Sequence, residues 1–215
     1  MKKVVKSEDM GKAIFLLQPS RPMFCTSKNE DGSDHVAPFS WVMPISCAPP
    51  KVALALQNER GAKLSQTLVN ILRQREFVVN MPIKGQEEQL VMASYLQGSH
   101  ACKFDRTGYT RAFSAQVEPV QIAECIANVE CRVFNVVETG GDHTLLLADV
   151  VSAAYEEGLY DEGLCPNVPD VLPLVNLKEF RFDDKQVHQF IDTSYVYEVS
   201  VPYEAPLSEL LKEGN

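Results

Sequence analysis

Residues 35–50, HVAPFSWVMPISCAPP, restrict the possible folds more than any other part of the chain, because they combine an uncharged stretch with four prolines. In a strand, successive side chains point to opposite faces. One face would then be large and apolar, with Phe39, Trp41, Met43, Ile45 and Cys47, and the other would be small, with Pro38, Ser40, Val42, Pro44, Ser46 and Ala48. We expect the large face to pack in a core. The small face, called the serine face below, would stay open.

The segments around this stretch predict further strands and two helices. Residues 22–29 predict a strand that runs into an Asn-Glu-Asp-Gly turn, so that the serine-face stretch becomes its hairpin partner or near neighbour. Apolar residues recur at helical spacing between Arg60 and Arg75, with Ser65 or Gly61 as the cap. Further strands are predicted at 51–57, 76–82, 128–138 and 143–155, and a second helix at 85–98.

This order of elements favours a mainly β fold. Five to seven alternating strands with two short helices and no βαβ rhythm are typical of a closed barrel or a sandwich, because either arrangement protects strand edges. We expect a single domain over residues 1–215, with a barrel at about 15–155 and an extension at about 156–215. The extension has no clear period, so we expect an irregular C-terminal arm that wraps a partner or covers the core.

Charge and composition exclude several classes of function. A net charge of −9 without a cluster of Lys and Arg argues against nucleic-acid binding over a broad surface. The longest uncharged stretch is too short and too rich in proline to span a membrane, and the N-terminal apolar run is too short for a signal peptide. The six cysteines show no C-x-x-C pair, so we expect reduced, mostly buried thiols, no metal site and a cytoplasmic protein.

Hydroxyl side chains gather in three segments that could share one site. They are Thr26 and Ser27 at the end of a strand, Ser40 and Ser46 on the serine face, and Ser65 and Thr67 at the helix start. A helix start offers free N–H groups and a partial positive charge, both of which favour an anion, and Lys63 and Arg60 lie close by. A phosphate bound there, attached to a flat group over the serine face, would use all of these features. The same residue types also fit an ordinary helix cap and ordinary strand positions.

His143 is the candidate for acid–base chemistry. It opens a strand directly after Gly-Gly-Asp, where Asp142 could orient its ring toward a site. A surface histidine at a hairpin tip would have the same sequence context. The chain shows no G-x-S-x-G, P-loop or G-x-G-x-x-G motif, so neither a serine nucleophile nor a Gly-rich phosphate loop is predicted.

Seven motifs follow one another along the chain: DG, HVAPFSW, IS-x-APP-KVALAL, SQTLVNI, EFVVN, VECRV and GGDHTLLLADVV. In this order they resemble the flavin reductase-like family, which includes flavoredoxins and the reductase components of two-component monooxygenases. The resemblance covers residues 21–154. It implies a split β-barrel that binds FMN without a covalent bond, usually at a homodimer interface. It also implies hydride transfer from NADH or NADPH to the flavin and on to an acceptor.

The resemblance also suggests roles for individual residues. In the family, the strands that match Ala37, Ser40, Trp41 and Ser46 line the isoalloxazine ring. The family's phosphate segment, K-D-T-x-x-N-I, matches residues 65–71, with serine and glutamine in place of lysine and aspartate, and Lys63 as a substitute cation. Asn80 is expected to border the site, and His143 to lie near the reactive face of the flavin. His35 stands where the family often has asparagine.

Two other functions remain open at this level. The chain could be a flavoredoxin-type electron carrier that keeps its FMN and exchanges electrons with a protein partner. It could also be a barrel that has lost the cofactor and acts as a binding module, which the altered phosphate segment would allow.

Overall fold

The computed structural model describes residues 2–17, 20–60, 63–94, 103–166, 174–181 and 186–191. A 3₁₀ helix, Ser7–Leu17, comes first in the chain. The α-helices are α1 (Gln66–Gln74), α2 (Glu87–Ser94) and α3 (Lys103–Thr107). The strands are β1 (Met23–Lys28), β2 (Asp34–Phe39), β3 (Val42–Cys47), β4 (Pro50–Gln57), β5 (Glu59–Arg60), β6 (Lys63–Leu64), β7 (Glu76–Met81), β8 (Arg111–Ala112), β9 (Gln121–Ile122), β10 (Ala127–Glu138), β11 (His143–Tyr155), β12 (Leu174–Arg181) and β13 (Gln186–Ile191).

Seven of these strands form one antiparallel sheet in the order β2-β1-β7-β10-β11-β4-β3. Its two end strands, β2 and β3, are consecutive in the chain and are separated by only Ser40 and Trp41. Three Cα steps span at most about 11 Å, so the sheet has to curl until its two edges meet at this link. The result is the predicted mainly β split barrel, which is confirmed.

Two apolar clusters hold the fold together. The first is formed by alternate residues of the barrel strands, such as Leu54, Phe77 and Leu146, together with Leu68 and Ile71 of α1. The second lies on the other face of β1 and β2, where α2 and α3 pack; its members include Phe24, Val36, Leu90, Phe104, Tyr109 and Ile122. Burial of this apolar area is the main driving force for closing the barrel and for seating α1 against it.

Most of the predicted elements are confirmed. The strand at 22–29 and the first part of the serine-face stretch pair as the hairpin β1–β2. The strands predicted at 51–57, 76–82, 128–138 and 143–155 correspond to β4, β7, β10 and β11, and the helix between Arg60 and Arg75 is α1. The second predicted helix is α2, and residues 95–98 of that prediction lie outside the described residues.

The expectation that one face of residues 35–50 is uniformly core is wrong. Phe39 and Val42 both pack against the first cluster although their positions differ in parity. The link at Ser40 and Trp41 carries the chain from one end of the sheet to the other and resets the alternation. As a result Met43 and Ile45 are 57% and 40% exposed.

The expectation of an irregular C-terminal arm is wrong at β12 and β13, while residues 167–173, 182–185 and 192–215 of that arm lie outside the described residues. β12 and β13 form an antiparallel hairpin, and Phe190 packs against the second cluster. The side chain of His188 shares a 2.9 Å hydrogen bond with the Ser94 hydroxyl of α2. A register shift between Val175 and Glu179 interrupts the pairing, which explains why no period of two is visible in the sequence.

In the part of the chain that the structure describes, no helix is long and apolar enough to cross a membrane.

Candidate functional site

The N-cap of α1 is a buried serine whose hydroxyl makes no capping hydrogen bond. This residue is Ser65, with φ −59° and ψ 117°. The first hydrogen bond within the helix runs from the Val69 N–H to the Ser65 carbonyl, at 3.0 Å. The N–H groups of residues 66–68 therefore precede the helical ladder and carry the positive end of the helix dipole. The predicted helix start is confirmed, whereas its serine hydroxyl remains unused as a cap.

A buried polar cluster lies beneath this helix start. The Thr67 hydroxyl and His35 Nε2 share a hydrogen bond of 2.9 Å. One turn further along, Asn70 donates to the Ser27 hydroxyl at 3.1 Å and to the Asn29 side-chain oxygen at 2.9 Å. The side chains at 27, 35, 67 and 70 are all buried. Ser27 and Thr67, two predicted site residues, thus lie together between the helix and the strands β1 and β2.

His35 is neutral over the physiological pH range. Burial, and to a smaller extent the nearby charge of Lys103, lower the pKa of its imidazole to about 3. His35 therefore brings no positive charge to the helix start. Lys63, the predicted substitute cation, lies in β6 opposite Arg60, and its side chain lies outside the described part of the structure.

The serine face is divided between two ends of the sheet. Ala37 is buried on β2 opposite Cys25, and Ser40 lies in the bend after that strand. Ser46 lies on β3 opposite Lys51, whose ammonium group pairs with Asp149. The sheet curls, so these small residues approach from two edges and do not form one continuous face.

Trp41 and His143 form a stacked pair beside the link. Their ring centroids are 4.6 Å apart and the planes differ by 29°. His143 Nδ1 and an oxygen of Asp142 share a hydrogen bond of 2.7 Å, which lowers the pKa of the Asp142 carboxyl. About a quarter of the His143 side chain, 24%, is exposed. The predicted orientation of His143 by Asp142 is confirmed, and Trp41 fixes the ring from one face.

Asn58 connects this pair with the helix start. Its carbonyl accepts the Ser65 N–H at 2.9 Å, and its own N–H donates to the Asp142 carbonyl at 2.8 Å. Its side-chain oxygen accepts the Thr144 hydroxyl at 2.7 Å. One residue therefore joins the N-cap of α1 to the turn that carries His143. Sequence reasoning missed Asn58, because Asp142 and Thr144 lie more than 80 residues away along the chain and no local pattern marks it.

Thr26 and Asn80 have partners within the protein. The Asn80 side-chain oxygen accepts the Ile122 N–H at 3.0 Å and the Asn128 amide at 2.8 Å. Its amide nitrogen donates to Thr26 Oγ1 at 3.3 Å, and the Thr26 hydroxyl donates to the Val120 carbonyl at 2.5 Å. Both residues are fully buried. These contacts tie β1, β7 and β10 together and use the polar atoms that sequence reasoning assigned to a cofactor.

Asn70 is the asparagine of the segment that matches K-D-T-x-x-N-I, and sequence reasoning gave it no role of its own. Its position three residues after Thr67 places both side chains on one helix face, which is the face buried against the sheet. That spacing was the available signal. Among the described residues, no group of three or more His, Cys, Asp or Glu side chains could hold a metal ion.

Comparison with known sequences places the chain in a family. The flavin reductase like domain matches residues 17–179, most of the chain. An uncharacterised protein of Pyrococcus abyssi (strain GE5 / Orsay) is 30% identical over 172 residues, which are 79% of this chain and 94% of that protein.

Solved structures share the fold. Nitrilotriacetate monooxygenase component B from Bacillus cereus superposes with a TM-score of 0.74 at 19% identity, over 93% of this chain and 98% of that one. An FMN-binding protein from Thermus thermophilus gives 0.72 at 18% identity, over 93% and 100%. The flavoredoxin of Desulfovibrio vulgaris (Miyazaki F) gives 0.69 at 15% identity, over 95% and 99%.

Proposed function

The chain belongs to the flavin reductase-like family, and we propose that it is an FMN-binding oxidoreductase that takes a hydride from NADH or NADPH and passes it to an acceptor. The observation that carries the proposal is the connection through Asn58, which joins an uncapped helix start to the stacked rings of Trp41 and His143. An anion site and an aromatic site so linked match a ligand with a phosphate at one end and a flat ring at the other.

The described residues fit such a cofactor. The first turn of α1 offers N–H groups for the phosphate, and Ser65 has a hydroxyl that no capping bond occupies. The bend at Ser40 and Trp41 offers a small polar residue beside an aromatic one. The FMN-binding protein from Thermus thermophilus, which is similar in fold, supports a flavin as the ligand.

A flavin supplies the hydride chemistry when it is bound, and the chain supplies binding, orientation and charge. Ser40 and Ser46 are proposed to donate hydrogen bonds to the polar edge of the ring, which orients it and stabilises negative charge there. Asp142 holds Nδ1 of His143, so Nε2 is the ring nitrogen left to face a ligand or exchange a proton. Trp41 keeps the imidazole from rotating.

We also propose that the protein is a homodimer in the cytoplasm. Met43 and Ile45 of β3 and Phe134 and Val137 of β10 are large apolar residues with 57%, 40%, 48% and 37% of their surface exposed. β11 and β4 lie between these two strands in the sheet, and large apolar side chains exposed on a sheet often belong to a surface that another protein covers. A second copy is the occupant that family membership favours.

The test is an anaerobic absorption spectrum of the purified protein. With FMN we expect the absorption spectrum of a bound flavin. When NADH or NADPH is added, the flavin absorption band at about 450 nm should bleach. A protein that gives no spectral change and no thermal shift with FMN would contradict the proposal.

The similarity to a flavoredoxin supports one alternative, an electron carrier that serves a protein partner. The same spectrum separates the two functions. A carrier would retain FMN and be bleached by dithionite, but NADH and NADPH would leave its spectrum unchanged. Bleaching by either nucleotide within the time of one assay would exclude the carrier function as the sole activity.

A further inference from the structure

His35 is a buried histidine to which the proposed function gives no role. It lies on β2 with 6% of its surface exposed, and its Nε2 atom shares a 2.9 Å hydrogen bond with the Thr67 hydroxyl. Its pKa is lowered to about 3, chiefly by burial, so the ring is uncharged near neutral pH. Any contribution that His35 makes to an anion site is therefore geometric.

Thr67 lies in the first turn of α1, two residues after the N-cap. Its side chain is 2% exposed and points into the contact with β2. Its backbone N–H is one of the three that precede the first hydrogen bond of the helix. The bond between Thr67 and His35 thus attaches the first turn of α1 to the sheet. It does so through Thr67, one of the residues whose backbone N–H groups would bind an anion.

The other polar attachments of α1 act elsewhere. Asn70 holds the second turn through Ser27 and Asn29. Ser65 is held through its backbone by Asn58, before the helix begins. Leu68 packs the first turn into the first apolar cluster, and the bond between Thr67 and His35 is the polar contact that ties this turn to β2. Because N–H donors weaken steeply when they are misaligned, a small rotation of this turn would reduce anion binding.

We infer that His35 is a positioning residue that acts through Thr67 and sets the direction of the first-turn N–H groups toward the phosphate of a bound flavin. The inference rests on the proposed function, since the flavin phosphate is the anion concerned. It makes a selective claim: a flavin without a phosphate should not depend on His35. A residue that only supports the fold would affect both kinds of flavin alike.

The experiment compares affinities for FMN and riboflavin, which lacks the phosphate, by fluorescence titration of the full chain. We expect His35→Phe to weaken FMN binding about tenfold, the scale of one charge-assisted hydrogen bond, and to leave riboflavin binding within about twofold. Thr67→Val should have the same selectivity, and the double variant should lose no more than Thr67→Val alone. His35→Asn, which keeps a hydrogen-bonding side chain, should recover most of the FMN affinity.

The chain offers a matched control in His188. Its ring also bonds a buried hydroxyl, that of Ser94, at 2.9 Å, but at the contact between β13 and α2. His188→Phe should leave the ratio of FMN to riboflavin affinity unchanged. Should His35→Phe fail to fold, Thr67→Val tests the same hydrogen bond from the helix side.

Several results would overturn the inference. Equal losses for the two flavins would reduce His35 to a fold-supporting residue, and an unchanged FMN affinity would remove its role. If the native protein binds riboflavin as tightly as FMN, the phosphate is not held at α1 and the inference fails while flavin binding stands. If the native protein binds neither flavin, the proposed function fails with it.

Discussion

Replacing His35 by asparagine or glutamine should remove a large part of the acid sensitivity of the fold. The native imidazole is buried, and its pKa is about 3 in the folded protein. The ordinary value near 6.5 applies in the unfolded chain. Between these two pH values the His35 imidazole is protonated in the unfolded state but not in the folded state. The free energy of unfolding therefore falls as the pH falls.

The size of the effect follows from that difference. The difference between a pKa of about 3 in the folded protein and about 6.5 in the unfolded chain corresponds to roughly 5 kcal/mol, because each tenfold change in proton affinity is worth about 1.36 kcal/mol. This stabilisation is complete above about pH 6.5 and lost progressively down to about pH 3. Between pH 7 and pH 5 the contribution of His35 to the free energy of unfolding should fall by about 2 kcal/mol. That is a considerable fraction of the roughly 5–15 kcal/mol that is typical of a whole domain.

The assay is urea denaturation of the native protein and of His35→Asn and His35→Gln, each at pH 7 and pH 5. Carboxylates elsewhere titrate equally in all three proteins, so the comparison isolates the imidazole. We expect the native protein to lose about 2 kcal/mol more than either variant over this interval. Equal losses in the native protein and both variants would refute the reasoning, since they would show that His35 is not held neutral in the fold.

The other predictions concern the Asn58 connection between the helix start and the turn before His143, the proposed oxidation of NADH, the proposed dimer and the buried carboxylate of Glu130. Asn58→Ala removes the side-chain bond to the Thr144 hydroxyl and keeps the backbone bonds to Ser65 and Asp142. It should therefore cost roughly 1–2 kcal/mol in urea denaturation and leave FMN affinity within about threefold, and a larger loss of FMN affinity would show that the side chain also positions the helix start. His143→Gln should slow NADH oxidation about 100-fold while FMN affinity stays within about threefold, and an unchanged rate would exclude it from catalysis. Ile45→Asp should give a monomer in analytical ultracentrifugation with a change in unfolding free energy of less than about 0.5 kcal/mol, and a persisting dimer would place the interface elsewhere. The Gln116 N–H donates to the Glu130 carboxylate at 2.6 Å, so Glu130→Gln should lower the stability in thermal denaturation by roughly 2–3 kcal/mol and speed hydrogen exchange of that N–H. Slow exchange in the variant would show that the carboxylate does not anchor this segment.

Alternation and helical spacing predicted most of the barrel correctly. In the sequence of β4 and β10, apolar residues recur at every second position. In α1 they recur at spacings of three and four residues. The Gly-Gly turn located the β10–β11 hairpin, and the Gly-Gly-Asp context located His143 beside Asp142. These features depend on neighbours a few residues away, which is why the chain order reveals them.

The site was predicted less completely. The hydroxyls of Ser65 and Thr67 lie at the helix start as expected, but Thr26 and Asn80 are occupied by contacts inside the fold. Asn58 was missed. The side chains of Thr26, Asn80 and Asn58 contact partners more than 20 residues away, such as Val120 for Thr26, and residue types do not identify such partners.

The sequence by itself determined most of the segments that become barrel strands, the helix α1 and the family of folds they build, because local geometry and the periodicity of apolar residues are properties of short segments. Only the tertiary structure decided which face of each segment meets the core. The link at Ser40 and Trp41 joins the two ends of the sheet, so closure of the barrel reverses the alternation that residues 35–50 would have as a single strand. The same closure exposes Met43 and Ile45 and stacks Trp41 on His143. Closure is a property of the whole sheet, since every strand has to pair before its edges can meet.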